Sequence, residues 1–282
     1  MADSVNQKTL KIAYSGIEGS FAHIATTRIF KDDEAVSYIG FSSAYKAVVD
    51  KKADAVVLPI ENSFAGEVGA VTDLIHSGDL IVDGVYELKV NQCLLGTADS
   101  TEEEITSVIS HPQAIEQCTG YITEHGLEVS TCVNTAIAAK TVADTNDPTL
   151  AAIASKETAP LYGLKILHAD INDSDTNVTK FAVLKRAEDI DSNKEYGAFV
   201  LMFTLKNEAG TLSRAISVIA DYGYNMRVIK SRPLHDGNWT YYFYTEVEGL
   251  FDSPKGKEML SKLKNECTVL KIAGTYNPDI MI

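Results

Sequence analysis

The sequence predicts an α/β fold in two parts: a two-lobed α/β portion, then a smaller ferredoxin-like βαββαβ module. Three observations predict it. Over roughly the first 185 residues, short apolar runs alternate with helical stretches, the pattern of largely parallel strands crossed by helices. Residues 197–282 read strand, helix, strand, strand, helix, strand. The charge also changes character between the two: residues 197–282 carry ten basic and nine acidic side chains, leaving 15 and 30 to the rest. The change falls at Arg186-Ala187-Glu188-Asp189-Ile190-Asp191-Ser192-Asn193-Lys194-Glu195, a polar stretch that reads as a linker.

The strands of the first part are expected at Lys11–Tyr14, Ala35–Gly40, Ala55–Pro59, Val85–Leu95, Val108–Ser110, Glu128–Cys132, Leu150–Ala154, Lys165–Ala169 and Phe181–Leu184. So many strands exceed one small sheet, so two lobes with a cleft are expected. In the second part Gly197–Leu205 is apolar and β-favouring, and Lys206–Gly210 is a turn. Thr211 is placed to cap a helix whose Leu212, Ala215, Ile216, Ile219 and Ala220 share one face. Gly223 ends that helix. Tyr224–Ser231 is a strand stopped by Pro233, His235–Asn238 is hairpin chemistry, and Trp239–Glu246 is the returning strand. A helix over Lys257–Asn265 and a strand over Thr268–Ala273 complete the order.

Composition narrows the function classes. Hydrophobic residues make up 45% and charged residues 23%, ordinary for a globular chain with ample core material. A formal charge of −14 argues against nucleic acid or an anionic membrane as main partner. The polar opening Met1–Lys8 lacks the apolar run of a secretory signal, and no stretch approaches the ~20 apolar residues of a membrane helix. Cys93, Cys118, Cys132 and Cys267 are scattered, with no Cys-x-x-Cys pair and no His at ligand spacing. They read as thiols of a reducing, cytoplasmic setting, with no metal site.

Ligands of open α/β sheets gather beyond the carboxyl ends of strands. The residues found there are Ser15–Phe21, Pro59–Val68, Ser110–Ala114, Asn134-Thr135, Ser155-Lys156 and Asn177–Phe181. Hydroxyls and amides recur, with few full charges, a set suited to a small carboxylated molecule. The same residue types are the common helix N-caps, so each junction alone reads equally as a cap. Glu61 and Glu67 have no acid/base spacing, and His111 before Pro112 reads as a turn residue. No nucleophile elbow, phosphate loop or dinucleotide fingerprint is present.

Taken in order, these junctions resemble the prephenate dehydratase family over nearly the whole chain. Tyr14-Ser15-Gly16-Ile17-Glu18-Gly19-Ser20-Phe21 looks like its opening segment, and Pro59-Ile60-Glu61-Asn62-Ser63 is similar to its second motif. Ser110-His111-Pro112-Gln113 with Gln117-Cys118 matches a third block, and Asn177-Val178-Thr179-Lys180-Phe181 stands where the family has Thr-Arg-Phe. Glu208-Ala209-Gly210-Thr211-Leu212 and Lys230-Ser231-Arg232-Pro233 resemble the two motifs of an ACT regulatory domain.

The resemblance implies a bilobal catalytic domain like the periplasmic binding proteins over residues 9–186. Its lobes would be 9–84 with 178–186, and 85–177; a linker over 187–196 and an ACT domain over 197–282 follow. It implies conversion of prephenate to phenylpyruvate, water and carbon dioxide, allosteric inhibition by phenylalanine, and a homodimer or homotetramer. With about ten residues before the first strand, no preceding chorismate mutase segment is expected. Forming an aromatic ring drives the reaction, so neither a redox cofactor nor a metal is required. Thr179 is implied as the proton donor. An unassisted alcohol is a poor acid, so its role is hydrogen-bond donation with a relayed proton. Substrate contacts are implied for Ser20, Glu61, Asn62, Ser63, Ser110, Gln113, Thr135, Lys180 and Phe181. Gly210, Thr211, Leu212, Asn225, Ser231 and Arg232 are implied for phenylalanine.

Some positions depart from the family pattern. Lys180 replaces an Arg, giving up a planar fork for a point charge; if it clamps a substrate carboxylate, Lys180→Arg lowers KM. Asn91 stands where a His is common, Lys230 replaces a Glu and Thr211 an Ala, which bears on phenylalanine sensitivity. Arogenate dehydratase, which differs by an amine in place of the substrate keto group, fits the same motifs. A non-catalytic small-acid sensor is the reading of another class.

Overall fold

The computed structural model describes residues 9–234 and 239–282, so the hairpin expected at His235–Asn238 lies outside the described residues. In chain order the elements are β1 (Lys11–Ser15), α1 (Phe21–Ile29), β2 (Glu34–Tyr38), α2 (Phe41–Val49), β3 (Ala55–Asn62), β4 (Gly66–Glu67), α3 (Gly69–Ser77) and β5 (Ile81–Lys89). Then come β6 (Cys93–Gly96), β7 (Ser107–Ser110), α4 (Pro112–Glu116), α5 (Thr119–Glu124), β8 (Glu128–Thr131), α6 (Thr135–Thr145), β9 (Leu150–Ala154), α7 (Thr158–Leu161), β10 (Lys165–His168) and β11 (Val178–Lys185). The last are β12 (Ala198–Thr204), α8 (Thr211–Asp221), β13 (Met226–Pro233), β14 (Tyr241–Glu248), α9 (Pro254–Glu266) and β15 (Val269–Tyr276).

Two compact units result. The first comprises residues up to Glu67, Glu87–Phe181 and Met281–Ile282; the second comprises Val68–Tyr86 and Ala182–Ile280. This division differs from the one expected at 187–196, because α3 and the start of β5 belong with the C-terminal module. The cause is specific bonding inside the second unit, described below.

The first unit is built on two sheets, one per lobe. One has the order β11-β3-β1-β2, with β1 parallel to both β2 and β3. Ile12, Val56, Val57 and Leu58 are wholly buried, as expected for continuous apolar strands of a parallel sheet. The other has the order β10-β6-β9-β7-β8; β7 is parallel to β8 and β9, while β6 is antiparallel to β9 and β10. This sheet is more mixed than the alternation of elements suggests. Val85–Leu95, expected as one strand, is two. Between β5 and β6, Val90 N–H donates to the Asn177 carbonyl and Gln92 N–H to Asn172 Oδ1, while Asn91 Nδ2 donates to Asp170 Oδ1. The backbone there pairs with the returning 170–177 segment rather than with a sheet neighbour.

The second unit carries the βαββαβ order, with strands arranged β13-β14-β12-β15 and β5 beside β15. Phe199, Leu201 and Phe203 pack with Ala215, Ile219, Met259 and Leu263 of the two helices. Gly223 terminates α8 at φ +64°, a left-handed conformation that glycine adopts without steric cost. Thr211 does not cap α8: it is the first helical residue, and its hydroxyl donates to the carbonyls of Lys206 and Glu208. Pro233 ends β13 as expected, as the last residue of the strand. It closes the strand opposite Tyr241, tolerated because β13 is an edge. No helix among the described residues is long and apolar enough to cross a membrane.

Candidate active site

The site is assembled where β3 ends and β11 begins, two neighbours of the first sheet. Asn62 is the last residue of β3 and is 8% exposed. Its Oδ1 accepts from the backbone N–H groups of Phe64 (3.0 Å) and Ala65 (2.9 Å) and from Gln113 Nε2 (3.0 Å). A backbone N–H can only donate, so the orientation of this amide is forced. Its Nδ2 must then face Asn177 Oδ1 (2.8 Å) and Thr179 Oγ1 (2.9 Å).

The forced polarity propagates. Asn177, 1% exposed, receives at Oδ1 and so donates from Nδ2 to Gln117 Oε1 at 2.8 Å. Gln117 Nε2 is thereby left as a buried donor with no partner among the described residues. Thr179, 9% exposed, uses its oxygen as an acceptor, so its own hydroxyl hydrogen remains available. Two free donors, both reached through the Nδ2 of Asn62, are what a bound acceptor would satisfy. An unmet buried donor costs ~1–3 kcal/mol, so a ligand that meets it recovers that amount. Gln113, Gln117 and Asn177 line a cavity of about 310 Å³ together with Phe64, Glu116 and Asp173.

The expected site residues divide into groups. Asn62, Gln113 and Thr179 come together as expected. Ser63 and Ser110 are present but committed. Ser63 Oγ donates to the Thr176 carbonyl and accepts from Val178 N–H, tying β3 to β11. Ser110, fully buried, donates to the Ile153 carbonyl at 2.5 Å. Ser20 caps α1 by accepting from His23 N–H, and the adjacent Gly19 carbonyl accepts from Thr158 Oγ1 of the other lobe at 2.9 Å. Thr135 is the buried first residue of α6, whose cap is Asn134. His111 caps α4 through Nδ1, and burial holds its ring below the ordinary imidazole pKa, which keeps that nitrogen an acceptor.

Two of the residues expected at the substrate are directed away from Thr179 and Asn62. Alternation along β11 sends Lys180 to the face opposite Thr179, where its Nζ lies 3.8 Å from Glu87 Oε1; buried Phe181 shares the Thr179 face. Alternation along β3 likewise turns Glu61 away from Asn62. Conversely, Asn177 and Gln117 stand in the motifs quoted from the sequence but carry no substrate contact in that reading. The available signal was spacing: Gln117 is four residues after Gln113, one helical turn on, and Asn177 stands two residues before Thr179, immediately ahead of β11.

In the second unit, Gly210, Thr211, Leu212 and Ser231 line a cavity of about 480 Å³ with Trp239 and Phe243. Asn225 and Arg232 do not. Asn225 Nδ2 donates to Glu248 Oε2 at 3.0 Å, and both Arg232 and Lys230 lie on the sheet face opposite Ser231. Lys230 therefore does not alter the lining of this cavity.

The family model for prephenate dehydratase matches residues 12–189, and that for the ACT domain matches residues 199–265. The chain belongs to the prephenate dehydratase family. Among similar proteins of this family, arogenate dehydratase/prephenate dehydratase 2 of Arabidopsis thaliana is 33% identical over 97% of this chain and 74% of its own length. The bifunctional chorismate mutase/prephenate dehydratase of Escherichia coli is 28% identical over 97% of this chain and 72% of its own. Among solved structures, GqqA, described as a quorum-quenching acylase, superposes with a TM-score of 0.88 at 29% identity, covering 95% of this chain and 98% of that one.

Proposed function

We propose that this chain converts prephenate to phenylpyruvate, with loss of water and carbon dioxide, and is inhibited by phenylalanine bound at its ACT domain. The observation that carries the reading is the polarised amide chain. It leaves the Thr179 hydroxyl hydrogen and Gln117 Nε2 as unspent donors, Gln117 in the wall of a cavity sized for a small diacid and Thr179 joined to that wall through Asn62 and Asn177. In prephenate the ring carboxylate departs as carbon dioxide. Its bonding electrons pass through the diene and expel the ring hydroxyl, which needs a proton to leave as water. Thr179 supplies that hydrogen bond and proton, and regains the proton from solvent. Such a donor contributes typically ~10²–10⁴ in rate. Gln117 Nε2 and Gln113 suit the substrate's oxygens.

We extend the proposal to a reducing, cytoplasmic setting, which four scattered cysteines without a paired motif suit. Trp239, 80% exposed beside the ACT cavity, supports a homo-oligomer in which a second copy covers it.

A second reading has its own support. Glu116 and Asp173 border the same cavity, and carboxylates there suit the ammonium group of arogenate. Parallel assays with both substrates, following phenylpyruvate by ultraviolet absorbance and phenylalanine by chromatography, test the two. Exceeding prephenate in kcat/KM would make arogenate the substrate, and turnover of neither would leave a non-catalytic binder. Parallel incubation with an N-acyl amide separates these outcomes from the acylase activity attributed to GqqA.

A further inference from the structure

Helix α3 leaves the catalytic motif and is held by the ACT sheet. It begins at Gly69, directly after β4, whose Gly66 and Glu67 pair with Asn62 and Glu61. Within the second unit three ACT strands grip it. From β13, Arg232 closes a two-point contact on Asp73, Nε to Oδ1 and Nη2 to Oδ2, both 2.8 Å. From β14, Tyr242 donates to Asp73 Oδ1 at 2.6 Å, and its ring stacks on His76 with centroids 4.0 Å apart. From β15, Lys271 Nζ donates to the carbonyls of Ile75, His76 and Gly78, closing the C-terminal end of the helix. The guanidinium of Arg232 lies so near the backbone of Gly69 that an added Cβ would stand 2.0 Å from Nη1.

We infer that Arg232, Asp73 and Tyr242 are positioning residues that couple the ACT cavity to Asn62 through α3. The residues stand in an unbroken bonded series. Ser231 lines the ACT cavity, and its neighbour Arg232 faces the other way and holds Asp73. The helix passes that position to Val68, whose carbonyl accepts from Val71 and Thr72. From there β4 meets Asn62 in register. A ligand that shifts β13 thus shifts the strand that orients the amide chain around Thr179. A planar guanidinium on a carboxylate resists sliding because two parallel bonds fix its orientation. The inference rests on the proposed phenylalanine response and gives it a route.

The test compares the full chain with Asp73→Ala, Gly69→Ala and the milder Tyr242→Phe, which keeps the ring and removes only the hydroxyl. Phenylalanine binding is measured by calorimetry, and the coupling factor as the ratio of prephenate kcat/KM without and with saturating phenylalanine. Such factors are typically about 5–150-fold. The expected result is phenylalanine affinity and basal kcat within about threefold of wild type, with the coupling factor reduced at least fivefold in Asp73→Ala and reduced in Tyr242→Phe. Amide exchange over residues 61–77 should respond to phenylalanine in the wild type and cease to do so in Asp73→Ala. A purely structural role would not remove that response while preserving binding. Wild-type coupling in every folded variant overturns the inference, as does loss of phenylalanine binding in parallel with loss of coupling. If wild-type protein neither binds nor responds to phenylalanine, the regulatory reading itself fails.

Discussion

Replacing Asn62 by Asp changes one donor for one acceptor at constant shape, and the forced polarity of the amide chain makes its consequence specific. The Oδ1 that accepts from Phe64, Ala65 and Gln113 is retained, so the turn after β3 should persist. The other oxygen then faces Thr179 Oγ1 and Asn177 Oδ1, both acceptors in the native arrangement. Thr179 must rotate its hydroxyl hydrogen inward to satisfy the new carboxylate, and Asn177 Oδ1 loses its donor. Leaving that buried acceptor unmet costs ~1–3 kcal/mol of stability, readable as a lower urea midpoint. Withdrawing the Thr179 hydrogen removes the proton donor, so kcat should fall ~10²–10⁴-fold. The same loss is expected of Thr179→Ala. Because both substitutions remove one interaction, the double variant should be little slower than either alone, a non-additive pair. Steady-state phenylpyruvate formation by the four proteins reads this directly. If Asn62→Asp keeps kcat within about threefold of wild type, or if the two losses multiply, Thr179 is not acting through the hydrogen that Asn62 leaves free.

Gln117→Glu keeps the acceptor for Asn177 but replaces the unspent Nε2 with a negative oxygen. Losing a hydrogen bond to a charged group is worth ~1.5–3 kcal/mol, so KM for prephenate should rise roughly 10–100-fold; an unchanged KM would detach Gln117 from the substrate. Lys180→Arg should leave KM within about twofold, since Lys180 lies across the strand from Thr179; a lower KM would show that it reaches the substrate after all. His111 is held below the ordinary imidazole value by burial, so on acidification the unfolded chain takes up the proton first. Its contribution to stability is therefore complete at neutral pH and declines as pH falls below about 6.5. His111→Asn retains a cap and removes the titration. Urea midpoints of that variant should fall less between pH 7 and 5.5 than those of wild type.

The sequence by itself determined the order of elements, because apolar periodicity and turn residues act over a few neighbouring positions. Gly223, the α8 face and the buried strands could all be read this way, and the short motifs were enough to place Asn62, Gln113 and Thr179 in one site. Tertiary structure decided what depends on partners far along the chain. The break at Val90–Gln92 follows from pairing with residues 170–177, and the membership of α3 in the second unit follows from Arg232 and Lys271. It also decided which side chains are spent. Ser63 and Ser110 carry the right chemistry, yet their hydroxyls are engaged by backbone groups. Lys180 and Arg232 carry suitable charges, yet strand alternation turns them from the cavities. A residue's chemical type is local, whereas the direction of a hydrogen bond is fixed only when every partner in the chain of donors and acceptors is in place.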